Sequence, residues 1–314
     1  MGLIDSFKSL FTSQSGRKAP DVGDTKPVRG SGVIRGKVNI GARFERLRSS
    51  VSGTMSNFYI ARDLTTGEIV GVKLCDIEKV DFFESRFKGL SKPSEGEIAL
   101  GMKHPLIAET YEIGYSTKNE PFLVMEYIDG PTLQKVITDH SESLIGKSRL
   151  NIIRNMAESI HYVHERGFIH RDICPRNFIC LPDYSGVKLI DFGLTVPATP
   201  PFMVEGNRTG TPLYMSPEVV RRRPTDKRVD IFSFGVSCYC VCTFEFPWQN
   251  ALTNGRAALN HDSTPPKDIL EFRPDLDPRL ARAIMQAMNP RVNDRTPSLD
   301  LFLKQIQAVT SATV

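Results

Sequence analysis

The spacing of apolar residues changes once along this 314-residue chain, and that change restricts the folds open to it. From Phe44 to about Tyr127 short apolar runs alternate with turn signals. Asn57 to Arg62 and Glu68 to Cys75 read as strands around a Thr65-Thr66-Gly67-Glu68 turn, and Phe122 to Tyr127 as another. Val80 to Lys103, between them, is charged and helix-compatible, with Pro93 and Gly96 as its weak points. After Pro131 the period becomes helical: Leu150, Ile153, Met156, Ala157, Ile160 and Val163 share one face. Further helices are predicted over Val229 to Thr243, Pro278 to Met288 and Ser298 to Ala308. A sheet-rich half and a helix-rich half, in a chain longer than one core usually supports, predict an α+β protein with two lobes.

Composition removes several classes. With 40% hydrophobic and 24% charged residues the chain is neither collagenous, coiled-coil nor wholly disordered. The 40 basic against 36 acidic residues leave +4, too little for the basic stripe of a nucleic-acid binder, so no nucleic-acid partner is expected. The six cysteines form no C-x-x-C pair, which argues against zinc or a disulfide framework and for a reducing, cytoplasmic location. The longest apolar run, Ile231 to Phe244, falls short of the roughly 20 residues that cross a bilayer, so it reads as a buried helix and no transmembrane segment is expected.

At the amino terminus Leu3, Ile4, Phe7, Leu10 and Phe11 fall on one helical face, predicting an amphipathic helix over residues 1–11. No secretory signal is indicated. Residues 1–6 fit a loose myristoylation pattern, and the apolar face suits peripheral contact with a membrane or a partner. Residues 12–37 have linker composition, the folded domain is expected over 38–307 (lobes about 38–127 and 129–307), and 308–314 is expected to be a tail.

The residues richest in chemistry are His170-Arg171-Asp172-Ile173-Cys174-Pro175-Arg176-Asn177, followed after the apolar strand Val187 to Ile190 by Asp191-Phe192-Gly193. A spaced H-R-D-x-x-x-x-N arises by chance at roughly one start in 160,000, so coincidence is set aside. These motifs resemble those of the eukaryotic-like (Hanks-type) Ser/Thr protein kinases, and the resemblance runs from about Phe44 to Gln307. It implies a bilobal fold, a small sheet-rich lobe on a larger helical lobe, with ATP and Mg²⁺ (Mn²⁺ as a substitute) between them. It also implies transfer of the γ-phosphoryl group to Ser or Thr of protein substrates, including the chain itself.

Phosphoryl transfer needs an acceptor for the hydroxyl proton, metal ligands and a cation on the phosphates. By resemblance Asp172 takes the first role, Asn177 and Asp191 the second, and Lys73, in Val70-Gly71-Val72-Lys73, the third. The partner of Lys73 is expected to be Glu95, with Glu97 as the fallback because Gly96 leaves the helix register open. Taken singly these residues argue little, but in one order they make one reaction's parts list. The adenine site is expected along Phe122 to Gly130, with Met125 at its back and the Glu126 carbonyl and Ile128 amide reading the base; Val51, Gly53, Phe58, Gly71 and Ile179 complete the ATP site. Arg208 to Glu218 resembles the end of an activation segment. Glu218 is expected to pair with Arg295, Thr211 to border the acceptor pocket, and Arg171 to meet a phosphate on the segment, with Thr195, Thr199 and Thr209 in reach.

Two departures qualify the resemblance. The phosphate-covering loop, G-x-G-x-x-G-x-V in the family, reads Val51-Ser52-Gly53-Thr54-Met55-Ser56-Asn57-Phe58 here, with one glycine in register. Cys174 stands where Ser/Thr kinases carry a lysine on the γ-phosphate, and a lost transition-state donor can cost on the order of 10²–10³ in rate. A slowed enzyme is therefore expected, with Arg176 as the candidate for the missing charge and Cys174, if partly exposed beside the cationic site, as a candidate reactive thiol. Two alternatives stand beside it: a pseudokinase scaffold that binds nucleotide weakly, and a small-molecule kinase of related fold.

Overall fold

The computed structural model describes residues 32–48, 51–52, 56–206, 208–248, 261 and 263–313; the expected helix over residues 1–11 lies outside them, as does Gly53. Its amino-terminal part is one seven-stranded sheet in the order Gly32–Val38, Thr110–Ser116, Pro121–Glu126, Ile69–Cys75, Ser56–Asp63 and Phe44–Arg46, with Val51–Ser52 also on Ser56–Asp63. All pairings are antiparallel except the first, which is parallel. Alternation sorts its side chains. Tyr59, Ala61, Val70, Val72, Phe122 and Val124 pack with Phe44 on one face, which leaves Phe58, Gly71, Lys73 and Met125 for the other.

The first strand corrects the expected domain start. Gly32 begins a strand inside the expected linker, because Ile34 packs on the sheet core while the backbone pairs with residues 112–116. Composition carries no sign of such a distant pairing. The helix-compatible region from Val80 to Lys103 divides into Ile77–Glu84, a short turn of helix at Ser85–Phe87, and Glu95–Gly101. Gly89 takes a positive φ of 85° between them, and the second helix starts afresh at a capping box. In that box Ser94 accepts from the Glu97 N–H, and Glu97 accepts from the Ser94 N–H at 2.8 Å.

The helical lobe is organised around Arg149–Glu165 and Arg228–Thr243. The second is the apolar run of the sequence. It is buried nearly all round, and Cys238, Cys240 and Cys242 are free thiols packed in the core. It crosses Pro278–Ala287 at Gly235, where a β-carbon would lie 2.7 Å from Met288 Cγ and 3.0 Å from the Ala287 carbonyl carbon. Residues 308–313 are not a tail. Val309 and Ala312 are buried, the Asp277 N–H donates to the Ala312 carbonyl at 2.9 Å, and Arg154 Nη2 donates to the Val309 carbonyl at 2.8 Å. Among the described residues no helix is long and apolar enough to cross a membrane.

Candidate active site

Lys73 reaches from its strand into the cleft between the two parts. Its Nζ donates to Asp191 Oδ1 at 2.8 Å and contacts Glu95 Oε1. Glu95 holds the first turn of Glu95–Gly101, while Glu97, the fallback, is occupied as the cap of that helix. Burial by itself disfavours the Lys73 cation, but Asp191 and Glu95 outweigh it and raise its pKa. For Glu95 the balance goes the other way: desolvation exceeds the attraction of Lys73, and its pKa rises. Asp191 is lowered to about 2, because Lys73, by charge and hydrogen bond, and the Gly193 N–H at 3.0 Å overcome the cost of its enclosed position. Its carboxylate nevertheless opens on the cleft, with 42% of the side chain exposed.

Asp172 lies on the loop after Phe168–Ile169. Asn177 Nδ2 donates to its carbonyl at 2.7 Å and to Oδ2 at 3.0 Å, and Thr211 Oγ1 donates to Oδ1 at 2.6 Å. Because the Asn177 amide faces Asp172, its carbonyl oxygen is the atom left for a cation, and with Asp191 it makes a pair of hard oxygen donors suited to Mg²⁺. Arg171 and Asp191 both adopt positive φ, 68° each, the kind of backbone strain that persists only where surrounding contacts enforce it.

At Arg171 the enforcing group is Asp230, which in the sequence is only an acid near the start of the buried helix expected over Val229 to Thr243. Its carboxylate accepts from the His170 and Arg171 N–H groups at 2.8 Å each and lies 2.8 Å from His164 Nε2. Desolvation works against the charge, yet these partners lower its pKa. A lone aspartate in the first turn of an otherwise apolar helix was the available signal. His170, buried and with its pKa lowered by desolvation, accepts the Asp172 N–H at Nδ1 over 3.3 Å.

Glu218 and Arg295 meet as expected from the resemblance, through bonds of 2.7 and 3.0 Å, with both residues buried. The Arg171 guanidinium is buried with neither terminal nitrogen hydrogen-bonded, and it lines a small cavity with Thr209, Thr211 and Met215. Burial lowers its pKa to about 10, with Arg86 reinforcing the effect. Arg86 itself, unmarked in the sequence, donates from Nη1 to Thr209 Oγ1 at 3.1 Å, and its neighbour Phe87 packs on Phe202 with ring centroids 5.6 Å apart.

Cys174 is a correction. The thiol is fully buried beneath Thr211, whose Oγ1 is 3.6 Å from Sγ, and desolvation pushes it up to about 12, so it is neither exposed nor thiolate-like. Arg176 is exposed instead, with Nη2 3.0 Å from Thr211 Oγ1 and 3.7 Å from Asp172 Oδ2. Along the expected adenine edge, Glu126 ties its side chain to Lys188 Nζ at 2.5 Å and to the Glu109 N–H at 3.1 Å. The Ile128 amide has no hydrogen-bond partner among the described residues. Met125 pairs with Gly71 across the sheet, and Ile179 is half-buried on Phe178–Cys180. The side chain of Val51 lies outside the described residues, although its backbone pairs with Phe58.

A sheet-rich lobe, a helical lobe and a cleft carrying a lysine, three acids and an amide define a protein of the kinase fold. The family profile described as protein kinase domain matches residues 45–306. Serine/threonine-protein kinase PknB of Mycolicibacterium smegmatis is 31% identical over 254 residues, 76% of this chain and 38% of that protein. The probable serine/threonine-protein kinase SCO3848 of Streptomyces coelicolor is 28% identical over 278 residues, 86% of this chain and 40% of its own length. PknD of Chlamydia felis, also a serine/threonine-protein kinase, is 27% identical over 282 residues, 80% of this chain and 29% of its own length. The chain belongs to the Hanks-type Ser/Thr protein kinase family, and it spans less than half the length of these curated relatives.

Proposed function

We propose that this chain is an ATP-dependent protein kinase that transfers the γ-phosphoryl group to Ser or Thr of protein substrates. The observation that carries the reading is the hydroxyl of Thr211, which donates to Asp172 Oδ1 at 2.6 Å in the same cleft where Lys73 joins Asp191 and Glu95. A substrate hydroxyl seated there gives its proton to Asp172 as its oxygen attacks the γ-phosphorus and the bond to the bridging oxygen of ADP breaks. Lys73 holds the α- and β-phosphates. Arg176, exposed beside Asp172, supplies the positive charge that buried Cys174 does not. Asp191 and Asn177 would hold Mg²⁺, which when bound neutralises phosphate charge. Thr209 is the inferred autophosphorylation site, since a phosphate there would meet Arg86 and the unpartnered guanidinium of Arg171.

The pseudokinase reading keeps one specific support, Cys174 buried at the lysine position. Phosphoryl transfer from MgATP to the protein itself and to a generic basic protein, read by mass spectrometry beside Asp172→Asn, separates the two. An active kinase labels Ser or Thr, and the variant drops by about 10²–10⁴-fold at unchanged thermal stability. Equal silence of both proteins, with MgATP still raising the melting temperature, turns the assignment to a scaffold.

A further inference from the structure

The strand that opens the sheet lies outside the family profile, which begins at residue 45. Gly32–Val38 pairs in parallel with Thr110–Ser116, Gly32 opposite Glu112 and Val38 opposite Ser116. Two contacts hold it down. Ile34 packs over Gly114, where a β-carbon would lie 3.2 Å from Ile34 Cβ, closer than the about 3.5–4.0 Å at which carbon atoms settle. Arg43, ending the short helix Ile40–Arg43 that follows, places Nη2 2.8 Å from Asp63 Oδ2 and 2.6 Å from Glu112 Oε2, and both acids are buried. Glu112 and Gly114 thus face the extension. Ile113, between them, points to the other face of the sheet and packs on the helix Glu95–Gly101, where a β-carbon at Gly96 would lie 3.1 Å from Ile113 Cγ2. Gly96 adjoins Glu95, whose carboxylate contacts Lys73. One strand therefore carries the extension on one face and the seat of the Glu95 helix on the other.

We infer that residues 32–43 form a strap that positions Glu95 from the far side of the sheet, with Arg43 as its fastening. Buried carboxylates are costly without their cation, so Asp63 and Glu112 keep the strap on Thr110–Ser116 and fix where Ile113 meets Gly96. Loosening it shifts that strand, and the helix backs away from Lys73. The cleft then loses the Lys73–Glu95 contact with no change in any residue that touches substrate. The effect on rate rests on the kinase reading above, whereas the effect on the helix does not. Couplings carried across packed elements change a rate or an opening equilibrium by about 2- to 30-fold.

Hydrogen exchange of the full chain, read by mass spectrometry, tests the helix in the wild type, Arg43→Met and Ile34→Ala. The second variant loosens the strap without stranding a carboxylate, and it serves alone if the first does not fold. Amides of Glu95–Gly101 should exchange about 2- to 30-fold faster in both, while those of Arg149–Glu165 in the helical lobe keep their rates. Turnover of MgATP tests the consequence. In either strap variant kcat should fall by a similar factor, and adding the same change to Glu95→Gln should lower it no further, although the urea midpoint drops equally in both backgrounds. Unchanged exchange in Glu95–Gly101, faster exchange throughout the protein, or a kcat loss that multiplies in the double variant overturns the strap as a positioning element and leaves the kinase reading intact. A wild type that transfers no phosphate sinks the kinase reading alone, since exchange still decides the strap.

Discussion

Arg295 in the helical lobe is 2% exposed, bonded twice to Glu218, and it donates further to the carbonyls of Asn289 and Arg228 at 2.9 and 2.8 Å. Lys73 in the sheet lobe is 6% exposed, but one partner, Asp191, opens on the cleft, and the other, Glu95, stands at the first turn of a seven-residue helix behind the break at Gly89. Both are buried cations held by carboxylates. The first closes on protein groups alone and belongs to the fold. The second is satisfied in part by a carboxylate that itself opens on the cleft, so a nucleotide can compete for it. Breaking the first kind of contact should therefore appear as lost stability, and breaking the second as lost chemistry.

The widest gap between the lobes should come from Arg295→Ala. It leaves the Glu218 carboxylate buried and uncompensated, at a cost of about 3–5 kcal/mol in urea unfolding. A change below about 1 kcal/mol would mean that the pair is not part of the frame. Next comes Asp230, whose loss as an ionised acceptor should cost about 1.5–3 kcal/mol in Asp230→Asn. Because its folded pKa lies below the ordinary 3.8, its contribution is fully present above that value and disappears as pH falls through the lower one. The difference in melting temperature between wild type and Asp230→Asn should thus be constant above about pH 5 and shrink toward pH 3. A difference independent of pH would assign the effect to packing. The smallest effect on stability belongs to Ser94→Ala, which removes the cap that positions Glu95, about 1 kcal/mol of local helix stability. Here phosphoryl transfer should fall while global unfolding barely moves, and a parallel loss of both would erase the contrast between the lobes.

Some of this was written locally. The cap at Ser94 and Glu97 obeys a pattern four residues long, yet Glu95 and Glu97 remained rivals for Lys73, because only the fold decides which one turns toward the strand. Cys174 sits in sequence among charged residues and in space beneath Thr211, so its neighbours left a reactive thiol open on the condition of exposure, and burial removes that condition. Arg86 and Phe87 carried no mark at all. Their partners Thr209 and Phe202 lie more than a hundred residues away, on a segment that folds back beside them.

By itself the sequence determined the division into a sheet-rich and a helical lobe, since the periods of strand and helix are properties of consecutive residues. It also determined the candidates Lys73, Asp172, Asn177 and Asp191, because their types and order are chemistry-bearing wherever the chain runs. Tertiary structure decided the start of the sheet at Gly32, the docking of residues 309–313, the role of Asp230 beneath the catalytic loop and the seat of Arg43 between Asp63 and Glu112. Each of these depends on a distance, a register or a desolvation that exists only after remote segments have come together, and no local pattern encodes it.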